Sequence, residues 1–362
     1  MVVVILWAAV PALSLDLTAT GHDSRIDLKW TGAGSPSHVY RSDKPDGPFE
    51  RLTEEPWKLT VYSDFLRDNG LTRYYHITTL DRAGRESKPS NVAVARSHAM
   101  TDDQLLTSVQ QATLRYFWDY GHPISGLARE RLGSRDTCTS GGTGFGMMAI
   151  VVGVERGFID RADAAERLLK MVRFLQRRAP RYHGAWSHWI NGRTGKTIPF
   201  SKYDDGGDLV ETSFLVEGML TVRRYFDRGN SVEKQLRDVI TELWRQVEWD
   251  WYLREQGGKR LYWHWSLRYE WKMNHAIGGH FNECMITYLL AMASPTHPID
   301  PSCYYEGWVG DPARYANGNT YYGHKQWVGW PMGGPLFFTH YSFLGFDPRG
   351  KRDCFCNYFE NS

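Results

Sequence analysis

Two kinds of helical segment alternate along this chain, and few folds accept both. Segments 145–154, 209–220 and 284–293 are apolar almost all round, the last closed by Pro295. Others carry a single apolar stripe. Thr101-x-x-Gln104 reads as a capping box, after which Leu105, Val109, Ala112, Tyr116 and Phe117 share a face. Asp160 is placed to cap a helix whose inner face holds Leu168, Leu169, Val172 and Leu175. Ser231 is placed to cap another, with Leu236, Val239, Ile240, Leu243, Val247 and Trp251 in register. A uniformly apolar helix must be covered on every side, whereas a striped one needs a single partner. Two concentric rings of helices meet both demands, so the pattern predicts a mainly α fold, an α/α toroid, over residues 99–362. No helical repeat recurs at a fixed period, which disfavours a regular solenoid.

Upstream the period is two. Ile26-Asp-Leu-Lys-Trp30, His38-Val-Tyr-Arg41 and Arg73-Tyr-Tyr-His-Ile-Thr-Thr79 alternate as half-buried strands do, with turns at Pro45-Asp46-Gly47, Asp68-Asn69-Gly70 and Asp81-Arg-Ala-Gly84. Trp30, Val39-Tyr40-Arg41, Tyr74-Tyr75 with Ile77, and Gly84-Arg-Glu-Ser-Lys-Pro-Ser-Asn91 resemble a fibronectin type III module. The expectation is a small β-sandwich over 16–98, with no catalytic role. Residues 1–15 are apolar with small residues near their end, which reads either as a partial secretion signal lacking its basic leader or as a buried first strand. The signal reading places the protein in the periplasm or outside the cell.

Chemistry concentrates where the apolar helices begin. Tyr203-Asp-Asp-Gly-Gly-Asp-Leu-Val-Glu-Thr212 sets Asp204, Asp205, Asp208 and Glu211 around a glycine pair, immediately before an apolar run. Crowded or buried carboxyls resist ionising, so their pKa values spread apart and one site can hold both an acid and a base. Asp208 and Glu211 also stand at capping-box spacing, and capping alone would account for both. Asp204 has no such explanation, and Asp205 reads as a solvated turn residue. Glu283 follows Asn282, a good N-cap, and opens a buried helix, where desolvation would raise its pKa as a general acid requires. The connections 182–202 and 256–279 are long and rich in Trp, His, Gly and Asn, and such loops carry function. Trp263 and Trp265 flank His264 in strand-like alternation, as a sugar platform or as a cover for the core. Arg129 is a candidate donor to sugar hydroxyls, though solvation alone would explain it.

The balance of 43 basic and 41 acidic residues gives no reason to expect nucleic acid or another polyanion. No segment after the N-terminus is apolar for long enough to span a bilayer. The five cysteines have no metal-ligand spacing, and His264, His275 and His280 lack the helical spacing of a metal pair. Gly141-Gly-Thr-Gly-Phe-Gly146 lacks the strand and distal acid of a dinucleotide site. The reading is therefore no metal, no cofactor, no membrane span and a monomer.

Many of these residues lie in strings that resemble the glucoamylase-like family, which includes bacterial endo-β-1,2-glucanases and a domain of cyclic β-1,2-glucan synthases. The strings are Tyr116-Phe-Trp-Asp119, Ser125-Gly-Leu-Ala-Arg129, Gly141-Gly-Thr-Gly-Phe-Gly146, His183-Gly184, Asn191-Gly-x-Thr-Gly195 and Asp204-Asp-Gly-x-Asp-Leu-Val-Glu-Thr212. They continue through Val247-Glu-Trp-Asp-Trp251, Tyr262-Trp-His-Trp-Ser266, Asn282-Glu283, Ser294-Pro-Thr-His-Pro298, Gly333-Gly-Pro-Leu-Phe337 and His340-Tyr-Ser-Phe-Leu-Gly345. The resemblance implies an (α/α)6 barrel and inverting hydrolysis of β-glucan, with β-1,2 linkage favoured. Glu283 is then the general acid and Asp204 and Asp208 share its site; Trp263, His264, Trp265, Arg129 and Glu211 remain the candidate substrate contacts read from the residues themselves. Family members continue past the position of Ser362 through helices that complete the barrel and supply a further acid as base. The chain thus resembles a C-terminally truncated member, which leaves a non-catalytic glycan-binding protein as the alternative.

Overall fold

Alternating β-branched and aromatic positions build the first part of the chain into paired strands. The computed structural model describes residues 15–32 and 36–362, and its two compact units divide between Gln110 and Gln111. The apolar segment 1–15 lies outside the described residues, apart from Leu15. The first unit contains β1 (Asp16–His22), β2 (Arg25–Thr31), β3 (Ser37–Ser42), β4 (Glu50–Arg51), β5 (Val61–Phe65), β6 (Thr72–Thr79) and β7 (Ala93–Arg96). They form two antiparallel sheets, ordered β1-β2-β5 and β4-β3-β6-β7. Leu17, Ile26, Leu28 and Trp30 of one sheet and Val39, Tyr75, Ile77 and Ala93 of the other make one apolar core. Within it Asp64 is paired to Arg41 at 3.1 Å and accepts from the Tyr75 hydroxyl at 2.8 Å. This buried carboxylate is therefore fully partnered.

Helix α1 (Asp102–Trp118) starts with the expected reciprocal cap: the Thr101 amide donates to Gln104 Oε1, and the Gln104 amide to Thr101 Oγ1. Its apolar stripe is not covered as expected. Leu105, Val109 and Ala112 are exposed, while Ser108 and Leu114 are the buried positions. A stripe states what a face favours, and says nothing about whether a partner arrives.

The second unit is built around α2 (Ser140–Glu155), α3 (Arg161–Arg178), α4 (Leu209–Tyr225), α5 (Ser231–Arg245) and α6 (Met285–Ala293). The uniformly apolar helices are the buried ones: α4 neighbours both α2 and α6, whereas striped α3 and α5 pair with each other. Leu168, Leu169, Val172 and Leu175 of α3 are all buried. The start and end of α5 differ from the sequence expectation. Asn230, not Ser231, is its N-cap, with Oδ1 accepting from the Glu233 amide at 2.9 Å. Trp251 has left the helix for a 3-10 turn, Trp249–Leu253, and is 41% exposed. Asp160 occupies the N-cap position of α3 without a capping hydrogen bond.

Glycine sets how closely α2 and α4 approach. A Cβ on Gly144 would collide with the Phe214 carbonyl, and one on Gly218 with the Gly144 carbonyl. The two helices therefore touch backbone to backbone. Among the described residues no helix is long and apolar enough to cross a membrane.

Candidate active site

Asp208 is the pivot. Its position is fixed by a short ladder in which β8 (Gly207–Asp208) pairs antiparallel with β9 (His264–Trp265), placing Asp208 opposite His264. Gly207 must be glycine because a Cβ there would sit 2.5 Å from the Tyr252 hydroxyl and 2.9 Å from Tyr182 Cβ. The Asp208 side chain is wholly buried, so each oxygen needs partners. Oδ1 accepts from the Glu211 amide at 2.8 Å, capping α4. Oδ2 accepts from Trp263 Nε1 at 3.0 Å and lies 3.1 Å from His188 Nδ1.

His188 was not singled out by the sequence reading. It stacks on Phe200, with ring centroids 4.3 Å apart, and its Nε2 lies 4.0 Å from Glu211 Oε1. Burial alone would lower its pKa. The hydrogen bond to Asp208 and the charges of Glu211, Asp208 and Asp204 outweigh burial and raise it to about 9. His188 is thus an imidazolium at neutral pH, the counter-charge of the acidic cluster.

The remaining acids of the motif divide by environment. Burial first, and the charge of Asp208 second, push Asp204 and Glu211 each up to about 7. Their protons are shared properties of the cluster. Asp204 Oδ1 lies 3.5 Å from His264 Nε2, which accepts from the Gly206 amide at 3.0 Å. Burial holds His264 below the usual histidine range; with Nε2 accepting, Nδ1 carries the proton and has no partner among the described residues. Glu211 departs from the capping-box expectation. Its Oε2 accepts from the Gly141 amide of α2 at 2.9 Å, and the Asp208 amide donates instead to the Trp186 carbonyl. The free amides at a helix start attract a carboxylate in this way.

Glu283 stands in the turn just before α6. Asn282 Oδ1 accepts from the Cys284 amide at 2.9 Å, so the N-cap position falls to Cys284 and Glu283 lies outside the helix. Ser342 Oγ donates to the Glu283 carbonyl at 2.7 Å and accepts from the Ile286 amide at 3.0 Å. Glu283 Oε2 is buried without a partner among the described residues, and desolvation raises the carboxyl pKa against the pull of the residue's own amide. Two neighbours feel charges from both Glu283 and the Asp208 cluster. After burial, the charges of Glu283, Asp208 and Glu211 push the Cys284 thiol up. The Tyr341 hydroxyl is raised by burial and then by Glu211 and Glu283. Its ring packs on Phe145 and Phe214.

The other sequence candidates are more dispersed. Trp263 meets Asp208 and stands edge-on to His275, while Trp265 stands edge-on to His183 and Trp251. The two rings therefore have different neighbours. Among the described residues no hydrogen bond or ion pair joins the Arg129 side chain to the acids, and its Nε is buried without a partner. His188, Asp204 and Asp208 each offer a donor atom within 4.8 Å of the others, the geometry of a metal-ligand set. The imidazolium proton already occupies that role, and a metal ion would have to displace it.

Residues 274–362 match the family model described as "Putative glucoamylase". A curated exo β-1,2-glucooligosaccharide sophorohydrolase from Parabacteroides distasonis is 45% identical over 372 residues, covering 95% of this chain and 50% of the relative. Over residues 274–362 the chain is glucoamylase-like. It spans about half the length of that relative. The crystal structure of a β-1,2-glucanase from the same species superposes with a TM-score of 0.91 at 44% identity, over 97% of this chain and 52% of that one. An endo-β-1,2-glucanase from Chitinophaga pinensis, solved with sophorotriose and glucose, gives a TM-score of 0.68 at 46% identity, over 73% and 65%. The glucoamylase-like match includes Glu283 and α6 but begins after the Asp208 motif.

Proposed function

We propose that this chain carries the acid/base site of an inverting β-glucan hydrolase, with β-1,2-linked glucan as substrate. One observation carries the reading: part-buried Glu283, whose Oε2 is unpartnered among the described residues, has neighbours that also feel a second set of acids held around an imidazolium. Desolvation raises the Glu283 carboxyl pKa, the direction a general acid needs, and a glycosidic oxygen is an acceptor for its proton. As the bond to the leaving sugar breaks, water attacks the anomeric carbon from the opposite face and gives its proton to a carboxylate. Asp208 is already engaged by a helix start, an indole and an imidazole, so it organises the site. Asp204 is free of such duties and is the motif's candidate to receive the proton. The part-exposed rings near Trp265, together with Trp263, His264, Arg129 and Glu211, are the proposed sugar contacts. The substrate named for the relatives agrees with this assignment.

On the same reading the buried helices belong to an (α/α)6 ring, the two-sheet unit is a fibronectin type III-like module, and the protein works in the periplasm or outside the cell. The test is release of reducing ends from linear β-1,2-glucan. Wild type should release them, and Glu283→Gln should be 10²–10⁴-fold slower, the usual worth of a general acid. Wild type and variant of equal activity would refute the assignment. Tight glucan binding without release would instead support a non-catalytic glycan-binding protein.

A further inference from the structure

Glu217 lies six residues beyond Glu211 on α4, and the chemistry proposed above makes no use of it. It is 3% exposed in the middle of an apolar helix. A carboxyl there is costly to bury, and a leucine would fill the same place without that cost. Its partners explain its presence. Oε1 accepts from the Gly345 amide at 2.8 Å and the Phe346 amide also faces the carboxyl, while Oε2 is buried without a hydrogen-bond partner among the described residues. Gly345 comes this close because it lacks a side chain: a Cβ would meet Thr221 Oγ1 at 2.6 Å, Glu217 Cγ at 2.8 Å and Met148 Sδ at 3.0 Å.

The segment 341–346 is therefore held at three points. Gly345 is tied to Glu217, the Tyr341 ring packs on Phe145 and Phe214, and Ser342 Oγ bridges the Glu283 carbonyl and the Ile286 amide. We infer that Glu217 is a positioning residue, whose hydrogen bond to Gly345 holds the 341–346 segment so that Ser342 fixes the main chain of Glu283 and Tyr341 faces both Glu283 and Glu211. Burial pushes the Glu217 carboxyl up to about 8, against the pull of the two amides. The anchor is therefore a neutral hydrogen bond at pH 7, and a carboxamide can reproduce it. The catalytic part of this inference rests on the reading of Glu283 as the acid.

The experiment compares Glu217→Leu, Glu217→Gln and Ser342→Ala. Glu217→Leu should melt no lower than wild type, lose at least tenfold in kcat on β-1,2-glucan, and keep KM within about twofold. Glu217→Gln retains the acceptor and should recover most of kcat. Hydrogen exchange at residues 342–346 and at the Ile286 amide should quicken in Glu217→Leu and not in Glu217→Gln. If Glu217→Leu does not fold, Ser342→Ala carries the test, with the same kcat loss at unchanged KM. Wild-type kcat in Glu217→Leu or in Ser342→Ala, or unchanged exchange in a folded Glu217→Leu, would overturn the inference. Failure of the acid assignment shows separately, as a fully active Glu283→Gln, and leaves the exchange measurement valid.

Discussion

Replacing His188 with Gln removes one positive charge from the acidic cluster while keeping a neutral donor for Asp208. The size of the effect follows from linkage. His188 has its pKa raised from 6.5 to about 9, with 22% of its side chain exposed. A shift of that size, at 1.36 kcal/mol per unit, makes the charged pair worth about 3 kcal/mol. A histidine pKa raised by folding stabilises fully below the unfolded value, and the contribution fades as pH climbs through the folded one. Wild type should therefore exceed His188→Gln by about 3 kcal/mol at pH 6, and the gap should close by about pH 9.5. For a unit of this size that corresponds to a Tm difference of roughly 6–12 °C. Differential scanning calorimetry of both proteins at the two pH values measures it. Removing the imidazolium also releases Asp204 and Glu211 from a charge that holds their pKa values down, so the difference reports the coupled cluster. A gap that is equal at pH 6 and 9.5, or absent at pH 6, would refute the picture of an imidazolium counter-charge.

Asp208 allows capping to be separated from charge. Asp208→Asn and Asp208→Ala should both lower the His188 pKa, read from its NMR titration, but only alanine also loses the α4 cap. Alanine should therefore be less stable than asparagine by about 0.5–2 kcal/mol in urea unfolding, and equal stability would mean the cap is idle. Gly144→Ala should destabilise by about 1–3 kcal/mol or more, because its methyl meets the Phe214 carbonyl with no side chain to yield. An unchanged urea midpoint would show that the helices can part without cost.

The buried helices were legible because an apolar segment with no polar face has one stable environment. The acids at the starts of α4 and α6 were legible for the same reason: charges bordering such a segment stand out. What escaped depends on distant parts of the chain. His188 lies 20 residues from Asp208, in a loop with no period to mark it. Glu217 and its partner Gly345 are 128 residues apart. Glu211 was read as reaching back to Asp208, but tertiary structure supplied the Gly141 amide, which local spacing could not reveal. The stripe on α1 is apolar as its spacing indicates, yet Leu105, Val109 and Ala112 are exposed while Tyr116 and Phe117 are half-buried, since amphipathicity describes one surface only.

The glycine contact between α2 and α4 bears on how this scaffold can be altered. Glu211 rides on one helix and its Gly141 partner on the other, so their spacing is set by main chain against main chain. No rotamer change can widen that gap. Attempts to give the protein a new substrate would do better to redraw the surrounding loops and leave this junction as a fixed chassis.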